Sequence, residues 1–171
     1  MQNLLPEELV NLAQQVVDTN RQAGRHIAVA ESCTGGLVAA ALTEIAGSSD
    51  VFECGFNTYS NAAKQNMLDV SDDMLETFGA VSIAVAWGMA QGALEKSGCD
   101  VAVAITGVAG PGGGTEKKPV GTVVFAKAEK GKSIDDVVAD RHNFGADKSR
   151  ADIRLQAALV ALELLLPDTS E

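Results

Sequence analysis

The sequence predicts a three-layer α/β/α sandwich, an α/β protein with a mixed sheet, in a single domain over residues 1–171. Three observations carry that prediction. Segments with helical periodicity alternate with short apolar runs along most of the chain. The run Asp100 to Thr106 (DVAVAIT) is continuously apolar, as in a strand covered on both faces. Two later strand-like runs flank Glu129-Lys130-Gly131-Lys132, a hairpin turn that makes part of the sheet antiparallel.

Taken in order, Pro6 suits a first helical turn, and Leu9, Val10, Leu12, Ala13, Val16 and Val17 form one apolar face before Gly24. A helix is therefore predicted over 6–23. His26 to Ala30 reads as a short buried strand. Cys33 to Ala46, stopped by Gly47, reads as an Ala-rich helix with Ser32 at the junction. Val51 to Tyr59 is a second strand. Ser60, Ser71 and Ser82 stand where N-caps belong, ahead of helices over 61–68, 72–78 and 83–97, and Gly79 and Gly98 stop the last two. After the strand 100–106 comes GVAGPGGGTEKKP, the longest loop. Strands over 120–128 and 134–140 follow, and a final helix over about 148–166 ends at Pro167. No repeat or shift in composition divides the chain.

Composition narrows the function classes. A chain of 171 residues, 46% hydrophobic and 21% charged, can bury a sizeable core and is not a disordered or fibrous sequence. Lys and Arg number 13 against 23 Asp and Glu, a net charge of -10 that repels a nucleic-acid backbone. The densest basic cluster is Lys117-Lys118, and the few aromatics are not interleaved with basic residues. The expected partner is a small molecule, not a nucleic acid. The three cysteines form no CxxC pair, which suits reduced thiols and a cytoplasmic setting. MQNLLPEELV has no basic leader region, and the apolar stretch Ala157 to Leu166 is short and broken by Glu163, so no membrane association is expected.

Among candidate sites, the Gly-rich loop fails both nucleotide fingerprints. Gly114 is followed by Thr115-Glu116-Lys117 where a phosphate-binding loop needs Lys-Ser/Thr, and the loop leads into a strand, not a helix. What remains is a backbone rich in exposed N–H groups, with Gly107 and Gly110 as candidate substrate contacts. Ser32 can be a plain N-cap. Alternatively it stands at a helix start where the N–H groups of Cys33, Thr34, Gly35 and Gly36 hold a phosphate or an oxyanion. As a nucleophile it needs a base, and His26 and His142 are poorly placed. No GxSxG or SxxK pattern surrounds it, which leaves Lys64.

On spacing alone Lys64 fits an ordinary solvated helix lysine better than a base; as a base near neutrality its pKa must fall by roughly 3 units, which burial can supply. Tyr59 can orient that lysine or be a buried aromatic with one hydrogen bond. Thr106, at a strand end, can meet a ligand or bond its own loop. Arg150 and Arg154, at i and i+4, can clamp an anion or lie on a solvated face with Asp147 and Asp152. No His, Cys, Asp or Glu group has metal-ligand spacing, so neither metal nor cofactor is expected.

The segments AESCTGGLVA, GFNTYSNAAKQNML, GAVS and AVAITGVAGPGGGTEKKPVGTV, with the paired arginines of KSRADIR, resemble the CinA C-terminal domain family over about residues 5–166, in the family's order. The family's Gly-Asp-Arg run before the last helix stands here as Gly145 to Arg150, longer and rearranged. The resemblance implies a metal-free nicotinamide-nucleotide amidase that hydrolyses the carboxamide of nicotinamide mononucleotide to nicotinate mononucleotide and ammonia. It makes Ser32 the nucleophile and Lys64 the general base, with Tyr59 and Thr106 in support. The larger N-terminal domain of full-length members is expected to be absent. A homo-oligomer, favouring a dimer, is expected. Two alternatives stay open: Cys33 as a thiolate nucleophile, and a non-catalytic nucleotide-binding or interaction module of the same fold.

Overall fold

The computed structural model describes residues 3–168; the outermost residues of the expected 1–171 domain, 1–2 and 169–171, lie outside the described residues. The chain runs α1 (Glu7–Ala23), β1 (Ile27–Glu31), α2 (Leu37–Thr43), β2 (Phe52–Asn57), α3 (Asn61–Leu68), α4 (Asp72–Phe78), α5 (Ile83–Ser97), β3 (Val101–Gly107), β4 (Thr122–Glu129), β5 (Val138–Asn143) and α6 (Arg150–Leu165). The five strands form one sheet in the order β2-β1-β3-β4-β5. β1 is parallel to β2 and β3, whereas β4 runs antiparallel to β3 and to β5. The predicted α/β/α sandwich with a mixed sheet is the observed fold.

The two faces of the sheet differ in side-chain size, and the strand period of two is the reason. Ile27, Val29, Val101, Val103 and Ile105 pack against α1, α2 and α6. The alternate positions Ala28, Ala30, Ala102 and Ala104 meet α5 with α3 and α4 beside it. Small residues on both sides bring α5 close to the sheet, and Gly92 of α5 lies directly under α3. A Cβ there would stand 2.0 Å from the Leu68 carbonyl oxygen. Gly92→Ala is therefore expected to destabilise the fold by about 3 kcal/mol, the upper end of the usual cost of overpacking, read by denaturant unfolding. Because the helix that must yield is α3, activity should fall with it.

The cap residues behave as their sequence context implies. Ser60, Ser71 and Ser82 accept from the N–H groups of Ala63, Met74 and Val85, and α3, α4 and α5 span the predicted residues. Two segments differ. The helix expected from Cys33 begins only at Leu37, because Gly35 (φ 59°) and Gly36 (φ 93°) turn the chain through left-handed conformations that interrupt a right-handed helix. Ser32 is accordingly not its N-cap. The strand expected over 134–140 begins at Val138; before it, Ser133 and Asp136 close a capping box around the 3-10 turn Ile134–Asp136. Among the described residues no helix is long and apolar enough to cross a membrane.

Candidate active site

The three parallel strands β2, β1 and β3 end at the same edge of the sheet, the place where open α/β sheets form a crevice. Ser32 is the first residue beyond β1, and its N–H donates to the Ile105 carbonyl of β3 at 2.9 Å. Beyond β2 the Thr58 N–H donates to the Glu31 carbonyl at 2.9 Å, drawing the chain across the end of β1 into α3. Lys64 comes from that helix and is 1% exposed. Its Nζ lies 3.0 Å from Ser32 Oγ and 2.7 Å from the Thr58 carbonyl oxygen.

Burial lowers the Lys64 pKa from 10.5 to about 8. A neutral amine has two N–H bonds and one lone pair. With one N–H given to the Thr58 carbonyl, the lone pair can accept the Ser32 hydroxyl proton. Cys33, next to the serine, behaves in the opposite way: its thiol is buried and pushed up to about 12, chiefly by that burial. The helix start thought to acidify it lies four residues further on, so the thiolate reading loses its physical basis.

Ser32, Cys33, Tyr59, Lys64, Thr106 and Arg150 share the wall of one cavity of about 190 Å³. Gly107 lines it too, and a Cβ there would come within 2.9 Å of the Thr122 carbonyl, so only glycine lets β3 and β4 close at this edge. Thr106 Oγ1 donates to the Ala80 carbonyl at 2.8 Å and ties the segment before α5 to the cavity wall. Tyr59 is exposed, not a buried aromatic, and its hydroxyl accepts from Arg150 Nη2 at 3.0 Å. Arg150 Nη1 reaches the Gly110 carbonyl at 2.7 Å. Gly110 itself stands behind that bond, outside the cavity wall.

Four other expected residues bring no side chain to that wall. Thr34, Gly35 and Gly36 belong to the turn behind Ser32, and Arg154 faces that turn rather than the cavity. The side chain that sequence reasoning misses is Glu31. It is buried, and its carboxylate accepts from the N–H groups of Gly36, Val38 and Ala39 at 3.0, 3.2 and 2.9 Å, occupying the start of α2. An anion therefore cannot dock on the helix terminus, which is already filled from within. The signal was an acidic residue just ahead of a Gly-Gly helix start, where a carboxylate complements the orphan N–H groups.

A serine hydroxyl meets a buried lysine amine at the shared end of parallel strands in an α/β/α sandwich, an arrangement that can support nucleophilic acyl chemistry. The chain belongs to the CinA C-terminal domain family, whose model matches residues 9–168. It is 46% identical over 160 residues to a protein of Enterobacter agglomerans named "Nicotinamide-nucleotide amidohydrolase PncC", covering 94% of each chain. It is 47% identical to the protein of that name from Escherichia coli K12, covering 92% of this chain and 93% of the relative. The solved structure of "competence/damage inducible protein CihA from Agrobacterium tumefaciens" superposes with a TM-score of 0.91 at 46% identity, over 96% of this chain and 97% of that one.

Proposed function

We propose that this protein is a nicotinamide-nucleotide amidase, hydrolysing the carboxamide of nicotinamide mononucleotide to nicotinate mononucleotide and ammonia as a step in pyridine nucleotide recycling. The observation that carries the reading is the 3.0 Å contact between Ser32 Oγ and the Nζ of a buried lysine. Near-complete alignment with two relatives named for that activity supports it.

In the proposed reaction Ser32 Oγ attacks the carboxamide carbon while its proton passes to Lys64 Nζ. The carbonyl electrons move to oxygen, and the N–H groups of Cys33 and Thr34 receive the resulting negative charge. As the C–N bond breaks, the Lys64 ammonium returns that proton to the leaving group and ammonia departs, leaving an ester on Ser32. A water molecule then attacks the ester and gives one proton to Lys64, which returns it to Ser32 Oγ as the ester C–O bond breaks; the carboxylic acid released then loses its proton to water and becomes the carboxylate. Tyr59 and Thr106 act around this centre by holding Arg150 and the Ala80 segment in the cavity wall.

Four cations come into question for the nucleotide phosphate. Arg154, Lys117 and Lys118 lie outside the cavity wall, which leaves Arg150, the one of the four that lines it. An ammonia-release assay over nicotinamide compounds with and without the 5′-phosphate tests the function. Turnover is expected for the mononucleotide and not for free nicotinamide; release from none of the panel overturns the reading. The three unpaired thiols support a cytoplasmic setting. A homodimer belongs to the same proposal, and light scattering checks it.

A further inference from the structure

The turn from Ser32 to Gly36 is gripped by two side chains that do not line the cavity. Glu31 holds the N–H groups at the start of α2, as described above. From α6, Arg154 Nε donates to the Cys33 carbonyl at 3.2 Å and its Nη2 to the Thr34 carbonyl at 2.9 Å. Within the turn, the Gly35 N–H donates to the Ser32 carbonyl at 3.1 Å. Among the described residues, the N–H groups of Cys33 and Thr34 alone in this turn reach no acceptor on another residue, and that of Cys33 lies against its own sulfur.

A trans peptide points its N–H opposite to its C=O, so holding one carbonyl aims the next N–H. Arg154 on the Cys33 carbonyl therefore aims the Thr34 N–H away from α6. The Gly35 N–H on the Ser32 carbonyl aims the Cys33 N–H in the same manner. Backbone donors left unpaired in so sheltered a turn carry a cost, which a ligand oxygen can offset.

We infer that Glu31 and Arg154 are positioning residues that hold the Cys33 and Thr34 N–H groups ready for the oxyanion formed on attack by Ser32. The inference rests on the amidase reading of the site. It assigns Arg154 to the backbone rather than to the substrate, and it gives a buried carboxylate outside the reacting atoms a part in the rate.

The test compares Arg154→Met, Arg154→Lys and Glu31→Gln with the wild type. Each is read by kcat and KM for the mononucleotide, by the melting temperature, and by the rate at which a small fluorophosphonate labels Ser32. In that reaction Ser32 Oγ displaces fluoride through a five-coordinate phosphorus that places negative charge on the phosphoryl oxygen, and it leaves a tetrahedral phosphonyl ester without needing the amide substrate. Arg154→Met should lower kcat and labelling by about 100-fold, the scale of a misplaced catalytic geometry, with KM little changed. Arg154→Lys should recover only part, because an ammonium cannot span both carbonyls as a planar fork does. Glu31→Gln, whose amide must face an N–H, should fall between.

A raised KM with preserved kcat for Arg154→Met would mean a substrate clamp and would overturn the inference, as would variants indistinguishable from wild type. Wild-type protein that is labelled at Ser32 yet releases no ammonia would sink the amidase reading alone, leaving the labelling rates to judge the positioning. Should Arg154→Met not fold, the wild type decides: on phosphonylation the Cys33 and Thr34 amide protons should move downfield in NMR spectra. If neither moves, the inference fails.

Discussion

Ser32→Ala is expected to reduce ammonia release by about ten-thousandfold or more, the scale seen when a covalent nucleophile is removed and only binding and oxyanion stabilisation remain. The fold should barely respond. Ser32 is 8% exposed and among the described residues its hydroxyl meets only Lys64, which keeps its bond to the Thr58 carbonyl. The loss of that single bond sets the expected change in unfolding free energy at about 1 kcal/mol. Nucleotide binding, measured by calorimetry, should persist. Cys33→Ala is the matched control: with the thiol pushed up to about 12 by burial, it carries almost no thiolate near neutrality and its removal should leave turnover in place. If Ser32→Ala turns over normally while Cys33→Ala does not, the nucleophile has been assigned to the wrong atom.

Lys64→Met is the second large effect, and it separates activity from stability. In the proposed reaction one amine both accepts the serine proton and supplies the proton that ammonia takes away, so turnover should fall about a thousandfold or more, within the upper range for a positioned acid–base group. In the wild type, kcat/KM should rise about tenfold per pH unit on approach to pH 8 and level off above it, because the neutral amine is the active form and its pKa is lowered to about 8.

Stability moves in a direction opposite to that of a salt-bridged lysine. The folded protein binds this proton less tightly than the unfolded chain, whose lysine keeps the ordinary value of 10.5. Between about pH 8 and 10.5 the unfolded state holds more protons, so this group makes stability rise with pH there and contributes no slope below pH 8. The full penalty, about 3 kcal/mol for a shift of this size, is present at pH 7. Lys64→Met removes it but strands the Thr58 carbonyl, at a cost of about 1–3 kcal/mol. The two nearly cancel, so the variant should melt close to wild type at pH 7. The wild type should then gain on it as pH passes from 8 to 10.5. A variant that has lost activity and also melts far lower at pH 7 would mean that Lys64 serves packing and not proton transfer.

Much of the fold was legible because its signals are local. Ser60, Ser71 and Ser82 each cap the helix that follows, and the Asp100 to Thr106 run is β3 with its boundary moved by one residue. The two misread segments had competing local chemistry. Gly35 and Gly36 outweighed the Ala-rich pattern around them, and the Ser133–Asp136 box outweighed a short strand-like run. Candidate chemistry was also legible: a serine after a strand, a lysine in a capped helix, a hydroxyl at the end of β3 and an arginine pair one turn apart all stand where the residue patterns suggested. Glu31 was passed over because its partners are backbone N–H groups, so its one mark in the residue pattern is its place ahead of the Gly35-Gly36 helix start.

What the sequence determined by itself is the set of elements, through caps, glycine stops and apolar periods, and the family, through several motifs in order. Those signals act within a few residues of the chain or survive as a linear pattern. Only the tertiary structure decided that Ser32 and Lys64, 32 residues apart, meet at 3.0 Å, since that contact depends on β2 lying parallel to β1 and returning the chain over its end. It likewise decided that Lys64 is poised near pH 8 and that the arginines divide their work. Arg150 faces the cavity, while Arg154, one turn further along the same helix, holds the backbone behind it. Burial and the direction of a carbonyl are properties of the assembled chain, and they distinguish a serine held against a buried lysine from the same residues on an ordinary surface.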